Sequence, residues 1–254
     1  MRQFFTVIGG MGTPATESYV RLLNQRTHAH SDQEYLNYIL VNDATVPDRT
    51  DYILDHSKPS FYPDLLEDIQ DQSLLNPEFM VIVCNTAHYF YDQLAAATPI
   101  PLLHMPHLAI SDMCERFPDE KRVGLIATQG TIQDGIYSHE IETSGREVVL
   151  GDQALQDMVT ELIYKYVKEK GEVNAALYHR ILQRMHDDFN VNVIVLGCTE
   201  LSFAQEKAGD HPYHVIDAQS IIVDKTIALG KAFRQSEAAG KALLNQNDGA
   251  LIAC

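Results

Sequence analysis

The chain has 254 residues, 45% of them hydrophobic and 21% charged, with 14 Gly and 10 Pro, a composition that excludes disordered and fibrous classes. Its length suits one large α/β domain or two lobes. A net charge of −16 argues against nucleic acid and anionic membrane surfaces as partners, since both are held chiefly by clustered Lys and Arg, and no apolar run reaches the roughly 18 residues of a membrane span.

In chain order, short apolar runs predict strands at Phe4–Ile8, Tyr38–Val41, Phe79–Val83, Leu102–Leu103, Val123–Ala127, Val148–Leu150, Val193–Leu196 and His214–Ile216. The first runs through Gly9-Gly10-Met11-Gly12 into a helical pattern, so a strand is expected there and not a cleavable leader. Between the runs, apolar residues near a 3.6 period predict helices, most clearly over Ala15–Arg26, Tyr62–Leu74, Gln153–Lys170 and Val173–Asp188. This alternation predicts parallel sheets with crossover helices. The four cysteines, Cys84, Cys114, Cys198 and Cys254, form no CxxC pair, which points to reduced thiols in a cytoplasm.

A weak internal repeat organises these elements. Val7-Ile8-Gly9-Gly10-Met11-Gly12-Thr13 corresponds to Leu125-Ile126-Ala127-Thr128-Gln129-Gly130-Thr131, and Val81-Ile82-Val83-Cys84-Asn85-Thr86 to Val195-Leu196-Gly197-Cys198-Thr199-Glu200. Each half thus offers a glycine-containing turn after its first strand and a cysteine at the end of a later one. Ligands of open α/β sheets sit beyond the carboxyl ends of strands, so two such halves facing each other would put both cysteines on one cleft. The expected division is residues 1–103 plus 215–234 for a lobe carrying Cys84 and 104–214 for a lobe carrying Cys198, with 235–254 as a weakly patterned tail.

Cys84 precedes Asn85-Thr86 and Cys198 precedes Thr199, so both thiols are predicted at strand-to-helix junctions, where a helix N-terminus lowers a thiol pKa. One cysteine ending an apolar strand is more often a small buried hydrophobe; two in matched settings favour chemistry. The first turn, Gly9 to Thr16, suits a backbone cradle for a carboxylate or phosphate, but it meets the dinucleotide spacing only in the looser variant ending at Ala15. Arg49 carries a fork suited to a carboxylate, and Lys168 could add a second cation, although an isolated surface charge is more often merely solvated. Cys84 and His88 stand at i and i+4, and His104-x-x-His107 is a second pair. Neither has a third and fourth ligand at suitable spacing, so no metal is expected, and His88 is expected to orient Cys84 or to pack.

Gly9-Gly10-Met11-Gly12, Val46-Pro47-Asp48-Arg49-Thr50, Cys84-Asn85-Thr86-Ala87-His88, Gly130-Thr131 with Gly135-x-Tyr137, and Leu196-Gly197-Cys198-Thr199-Glu200-Leu201 together resemble the aspartate/glutamate racemase superfamily, most closely its aspartate racemase branch. The resemblance runs in order from about Val7 to Asp224. It implies a two-lobed, pseudo-symmetric α/β fold with the active site between the lobes, no pyridoxal phosphate or other cofactor, no metal, and a homodimer. Cys84 and Cys198 would be the paired acid and base, with Asn85, Thr86 and Thr199 lining the substrate and Arg49 holding a side-chain carboxylate. Lys168 would assist Arg49, with Lys165 still open because Gly171 comes one position late. Met11, Gly12, Thr128, Gly130, Thr131 and Glu200 complete the substrate site that the resemblance implies. The implied activity is racemisation of an acidic amino acid, aspartate first and glutamate second. Hydantoin racemisation, maleate isomerisation, malonate decarboxylation, non-catalytic amino-acid binding and redox sensing are the alternatives. Two departures, Thr13 before Pro14 and His104-Met105-Pro106-His107 where the superfamily commonly has an acidic residue, bear on substrate preference more than on reaction type.

Overall fold

The computed structural model describes residues 2–248. Its first half contains β1 (Phe4–Gly9), α1 (Thr13–Thr27), β2 (Asn37–Asn42), α2 (Arg49–Leu54), α3 (Tyr62–Ser73), β3 (Met80–Ile82), α4 (Tyr91–Ala96) and β4 (Leu102–Leu103). The second half begins with α5 (Met105–Arg116), β5 (Arg122–Ala127), α6 (Gln129–Asp134), α7 (Ile136–Thr143) and β6 (Glu147–Leu150). It continues with α8 (Gln153–Thr160), which widens into a π-helical stretch over Glu161–Lys168, then α9 (Ala175–Asp187), β7 (Val193–Gly197), α10 (Thr199–Lys207), β8 (His214–Asp217), α11 (Ala218–Gln235) and α12 (Glu237–Asp248).

The strands form two four-stranded sheets, ordered β2-β1-β3-β4 and β6-β5-β7-β8, with every pairing parallel. The second order repeats the first, so the repeat seen in sequence is a repeat of topology: Val7 pairs with Val81 and Leu125 with Val195. Side chains leave a strand alternately on its two faces, and both faces of the inner strands are apolar because helices cover both. Phe5, Val7, Val81 and Val83 from one sheet and Val123, Leu125, Val193 and Val195 from the other enter a single shared core with residues of α5 and α11. The alternate residues Ile8, Met80 and Ile82 meet α3, while Ile126, Ile194 and Leu196 meet α8 and α9. A shared middle core holds the two sheets together, and the carboxyl ends of both sheets' inner strands open on one cleft.

Two expectations are corrected. Sequence patterning returns the chain to the first lobe at residue 215, but β8 pairs with β7 through Asp217, and α11 makes the return by packing on α1 and α5. The weakly patterned segment after Gln235 is not a loose tail as far as it is described: α12 folds back on α11, Leu244 is buried in the shared core, and Gly240 leaves room for the Phe233 ring, which a Cβ would meet at 2.3 Å. Small residues and a short helix hide this packing from a periodicity test. Residues 249–254, including Cys254, lie outside the described residues. Among the described residues no helix is long and apolar enough to cross a membrane.

Candidate active site

The chain leaves β3 through buried Val83 to Cys84 and then makes a 3-10 turn over Thr86–Phe90 that Asn85 precedes without a side-chain cap. His88 fixes this turn. Its Nε2 accepts the Met105 backbone N–H at 3.1 Å, so the ring proton lies on Nδ1, which donates to the Cys84 carbonyl at 2.9 Å. Burial pulls the His88 pKa down to about 4, which keeps the imidazole neutral. His104 accepts the His107 N–H at 2.9 Å and so caps α5, while His107 pairs with Glu140 at 3.0 Å. The three histidines thus have structural partners, and among the described residues no cluster of three or more His, Cys, Asp or Glu side chains could hold a metal.

After β7 the chain turns directly into α10, with Cys198 as N-cap. The Cys198 thiol donates to Glu200 Oε2 at 2.8 Å, and the Thr199 hydroxyl reaches the same oxygen at 3.3 Å. The two junctions therefore differ, and only Cys198 stands at an α-helix N-terminus. The expected lowering of both thiol pKa values is overturned as well. Burial raises Cys84, with Glu200 adding to the rise and Arg49 and Lys168 opposing it. Burial and the adjacent Glu200 carboxylate raise Cys198 well above the ordinary thiol range, with Lys168 opposing. At these buried positions desolvation of a thiolate outweighs the helix terminus.

Asp48 caps α2 by accepting the Thr50 and Asp51 N–H groups, which sets Arg49 at the start of that helix and against Cys84. The Arg49 side chain is buried: Nη1 donates to the Val46 and Pro47 carbonyls, Nη2 donates to the Met11 carbonyl at 3.1 Å, and Nε has no partner. Lys168, at the end of the π-helical stretch, reaches Asp48 at 3.2 Å and lies over the Tyr164 ring. Burial alone would lower the Lys168 pKa, but Glu200, Tyr164, Asp48 and Cys198 outweigh it and raise the pKa, so the ammonium stays charged. Lys165 instead points to solvent and pairs with Glu161 at 2.6 Å, so of the two lysines it is Lys168 that lines the cleft.

Of the residues expected at the site, Met11, Arg49, Asn85, Thr86, Thr128, Lys168, Thr199 and Glu200 line the cleft with both cysteines. Thr131 stands just behind it in a hydroxyl triangle, 2.8 Å from Thr86 and 3.1 Å from Thr128, that ties the two halves together. Gly12 precedes α1 beside Glu200. Gly130 serves the contact of α6 with α2, since a Cβ there would meet Thr50 Cα at 2.8 Å. Asp48 and Thr50 line the cleft as well, unforeseen from sequence; an Asp before a short helical run is a recognisable cap, but nothing local shows that it faces a lysine 120 positions away. The cleft is tightly closed around these side chains, with a cavity of about 10 Å³, close to the room one water molecule needs.

Three buried polar atoms of this cleft have no partner: Arg49 Nε and Asn85 Nδ2 are donors, and Glu200 Oε1 is an acceptor. Buried polar groups are normally satisfied, so a cluster of three at one site marks a place for a ligand with complementary groups.

Comparison with known proteins gives a consistent result. The family model described as Asp/Glu/Hydantoin racemase matches residues 8–226. The broad specificity amino-acid racemase RacX of Bacillus subtilis is 23% identical over 231 residues, covering 89% of this chain and 94% of that protein. The solved aspartate racemase of Picrophilus torridus superposes with a TM-score of 0.74 at 25% identity, covering 89% of this chain and 94% of its own. The glutamate racemase of Francisella tularensis, solved with D-glutamate, superposes with a TM-score of 0.60 at 18% identity, over 96% and 92% of the two chains, a likeness of fold.

Proposed function

The chain belongs to the Asp/Glu/hydantoin racemase family, and from that premise we propose that it is a cofactor-independent racemase that interconverts the enantiomers of an acidic amino acid, aspartate first and glutamate second. The observation that carries this reading is the set of three orphaned atoms in the one cleft that both cysteines line. An amino acid brings carboxylate oxygens to satisfy Arg49 Nε and Asn85 Nδ2 and an ammonium to satisfy Glu200 Oε1. On a guanidinium, Nε–H and one Nη2–H lie along one edge, which suits the bidentate grip of a carboxylate. With Nη1 committed to two carbonyls and Nη2 already donating to the Met11 carbonyl, Nε–H is the donor on that edge left without a partner. With Lys168 close by, a second carboxylate finds a cation in an otherwise strongly acidic protein.

Racemisation removes the α-proton from one face and returns a proton to the other, which a single base that cannot cross the substrate plane does poorly. The thiols that follow β3 and β7 line one cleft and would supply two such groups, one for each face of the substrate. One is thiolate and general base, the other thiol and general acid, and their titrations are coupled. Backbone N–H groups and the Thr side chains of the cleft oppose the negative charge that develops on the α-carboxylate as the carbanion forms, while Arg49, helped by Lys168, holds the side-chain carboxylate. Incubating the purified protein with L-aspartate, L-glutamate and neutral L-amino acids, then resolving the products by chiral chromatography, tests the reading. D-aspartate or D-glutamate is the expected product, and the absence of any D-enantiomer would remove it.

A further inference from the structure

The two cysteines meet opposite charges. Cys84 faces the buried Arg49 guanidinium on α2, and Glu200 and Lys168, which line the same cleft, also act on it. The surroundings of Cys198 are the Glu200 carboxylate on its own helix, Lys168 and Tyr164 of the π-helical stretch, and Tyr137 of α7. Lys168 acts on both thiols, and it is itself drawn to Asp48. The groups that distinguish them are therefore Arg49 and Glu200. The Glu200 side chain is 3% exposed, and Oε2 accepts the Cys198 S–H at 2.8 Å, a bond that exists only while the sulfur keeps its proton.

We propose that Glu200 is a positioning residue that makes the cysteines unequal before substrate arrives, holding Cys198 as the thiol so that Cys84, beside Arg49, is the base of the free protein. This inference rests on the racemase reading. The resting protein is then ready for the enantiomer whose α-hydrogen faces Cys84, and turnover of the other enantiomer needs the proton on Cys198 to pass to Cys84 first. Glu200 carries two tasks through its two oxygens, Oε2 toward the thiol and Oε1 toward the ligand ammonium.

Iodoacetamide modification of the intact protein at low conversion, followed from pH 6 to 10 and read peptide by peptide by mass spectrometry, tests it. The midpoint at Cys84 should lie at least about one pH unit below that at Cys198, and a Cys198 rate still climbing at pH 10 after the Cys84 rate has levelled off is the same order. In Glu200→Gln, which keeps the shape and removes the charge, the Cys198 midpoint should fall by more than the Cys84 midpoint. Coincident midpoints in the native protein, Cys198 ionising first, or a Cys198 midpoint unmoved by Glu200→Gln would each overturn the inference. If the variant does not fold, the order of the two midpoints in the native protein decides alone. Racemisation measured on the same preparation keeps the two ideas apart. Activity with unordered thiols ends this inference and leaves the racemase reading, whereas ordered thiols without activity end the racemase reading.

Discussion

After β3 the chain reaches Cys84 and then enters a 3-10 turn braced by a neutral histidine, whereas after β7 it passes from Cys198 straight into an α-helix whose first turn carries a carboxylate. The sheets around these junctions share one strand order and one direction. Topology therefore delivers two sulfur atoms to one cleft, while the residues that follow each sulfur decide its charge. A fold can be symmetric where its chemistry is not, because strand order depends on hydrophobic patterning and a thiol's ionisation on the few groups within several ångströms of it.

The largest expected effect tests whether both halves are needed at all. Cys84→Ser and Cys198→Ser should each lower racemisation by at least about 10²- to 10⁴-fold, the usual worth of a positioned acid or base. One enantiomer should still exchange its α-proton with solvent deuterium in each variant, and NMR would show a different enantiomer for the two. Full racemisation by either variant would dissolve the pairing on which the comparison stands.

The histidine brace belongs to the first half only. His88 has a folded-state pKa of about 4 against roughly 6.5 in the unfolded chain, so the unfolded state takes up a proton first. Its contribution is whole above pH 6.5 and shrinks as pH falls toward 4, by roughly 3 kcal/mol at pH 4. Neighbouring His104, lowered to about 2 by burial and by His88 and His107, acts in the same direction. Urea unfolding at pH 7.5 and pH 4.5 should show the loss, and His88→Gln should flatten it; a dependence unchanged in that variant would mean that other groups carry it.

Smaller effects separate the cations. Arg49→Lys keeps a charge beside Cys84 but loses the free edge of the fork, and kcat/KM for a dicarboxylic amino acid should fall about 100-fold, equivalent to ~2.7 kcal/mol. An equal loss for neutral amino acids would take away the clamp role. Lys168→Met should cost about tenfold in kcat/KM, or ~1.4 kcal/mol, for the same substrate. Lys165→Met, three residues earlier and solvent-facing, should leave steady-state kinetics within error, as an exposed ion pair contributes little.

Much of the framework was legible in the amino-acid order. The strands predicted at Phe4–Ile8, Val123–Ala127 and Val193–Leu196 match β1, β5 and β7 to within a residue at each end, because unbroken apolar runs bounded by turns have few other uses. The matched Cys84 and Cys198 motifs placed both sulfurs at strand ends. What stayed hidden was contact between distant residues. Asp48 meets Lys168, Gly130 meets Thr50, and α12 packs on α11 without a strong periodic stripe of its own.

Sequence by itself determined the two repeated α/β halves and the strand that each cysteine ends, since hydrophobic alternation and turn chemistry act between near neighbours in the chain, while the polar residues around the cysteines followed only from the family resemblance. Only the tertiary structure decided that Lys168 and not Lys165 enters the cleft, that both thiols are raised where helix ends alone would lower them, and that one faces a guanidinium and the other a carboxylate. Burial and through-space charge set those outcomes, and both depend on groups that folding brings together from far apart in the sequence.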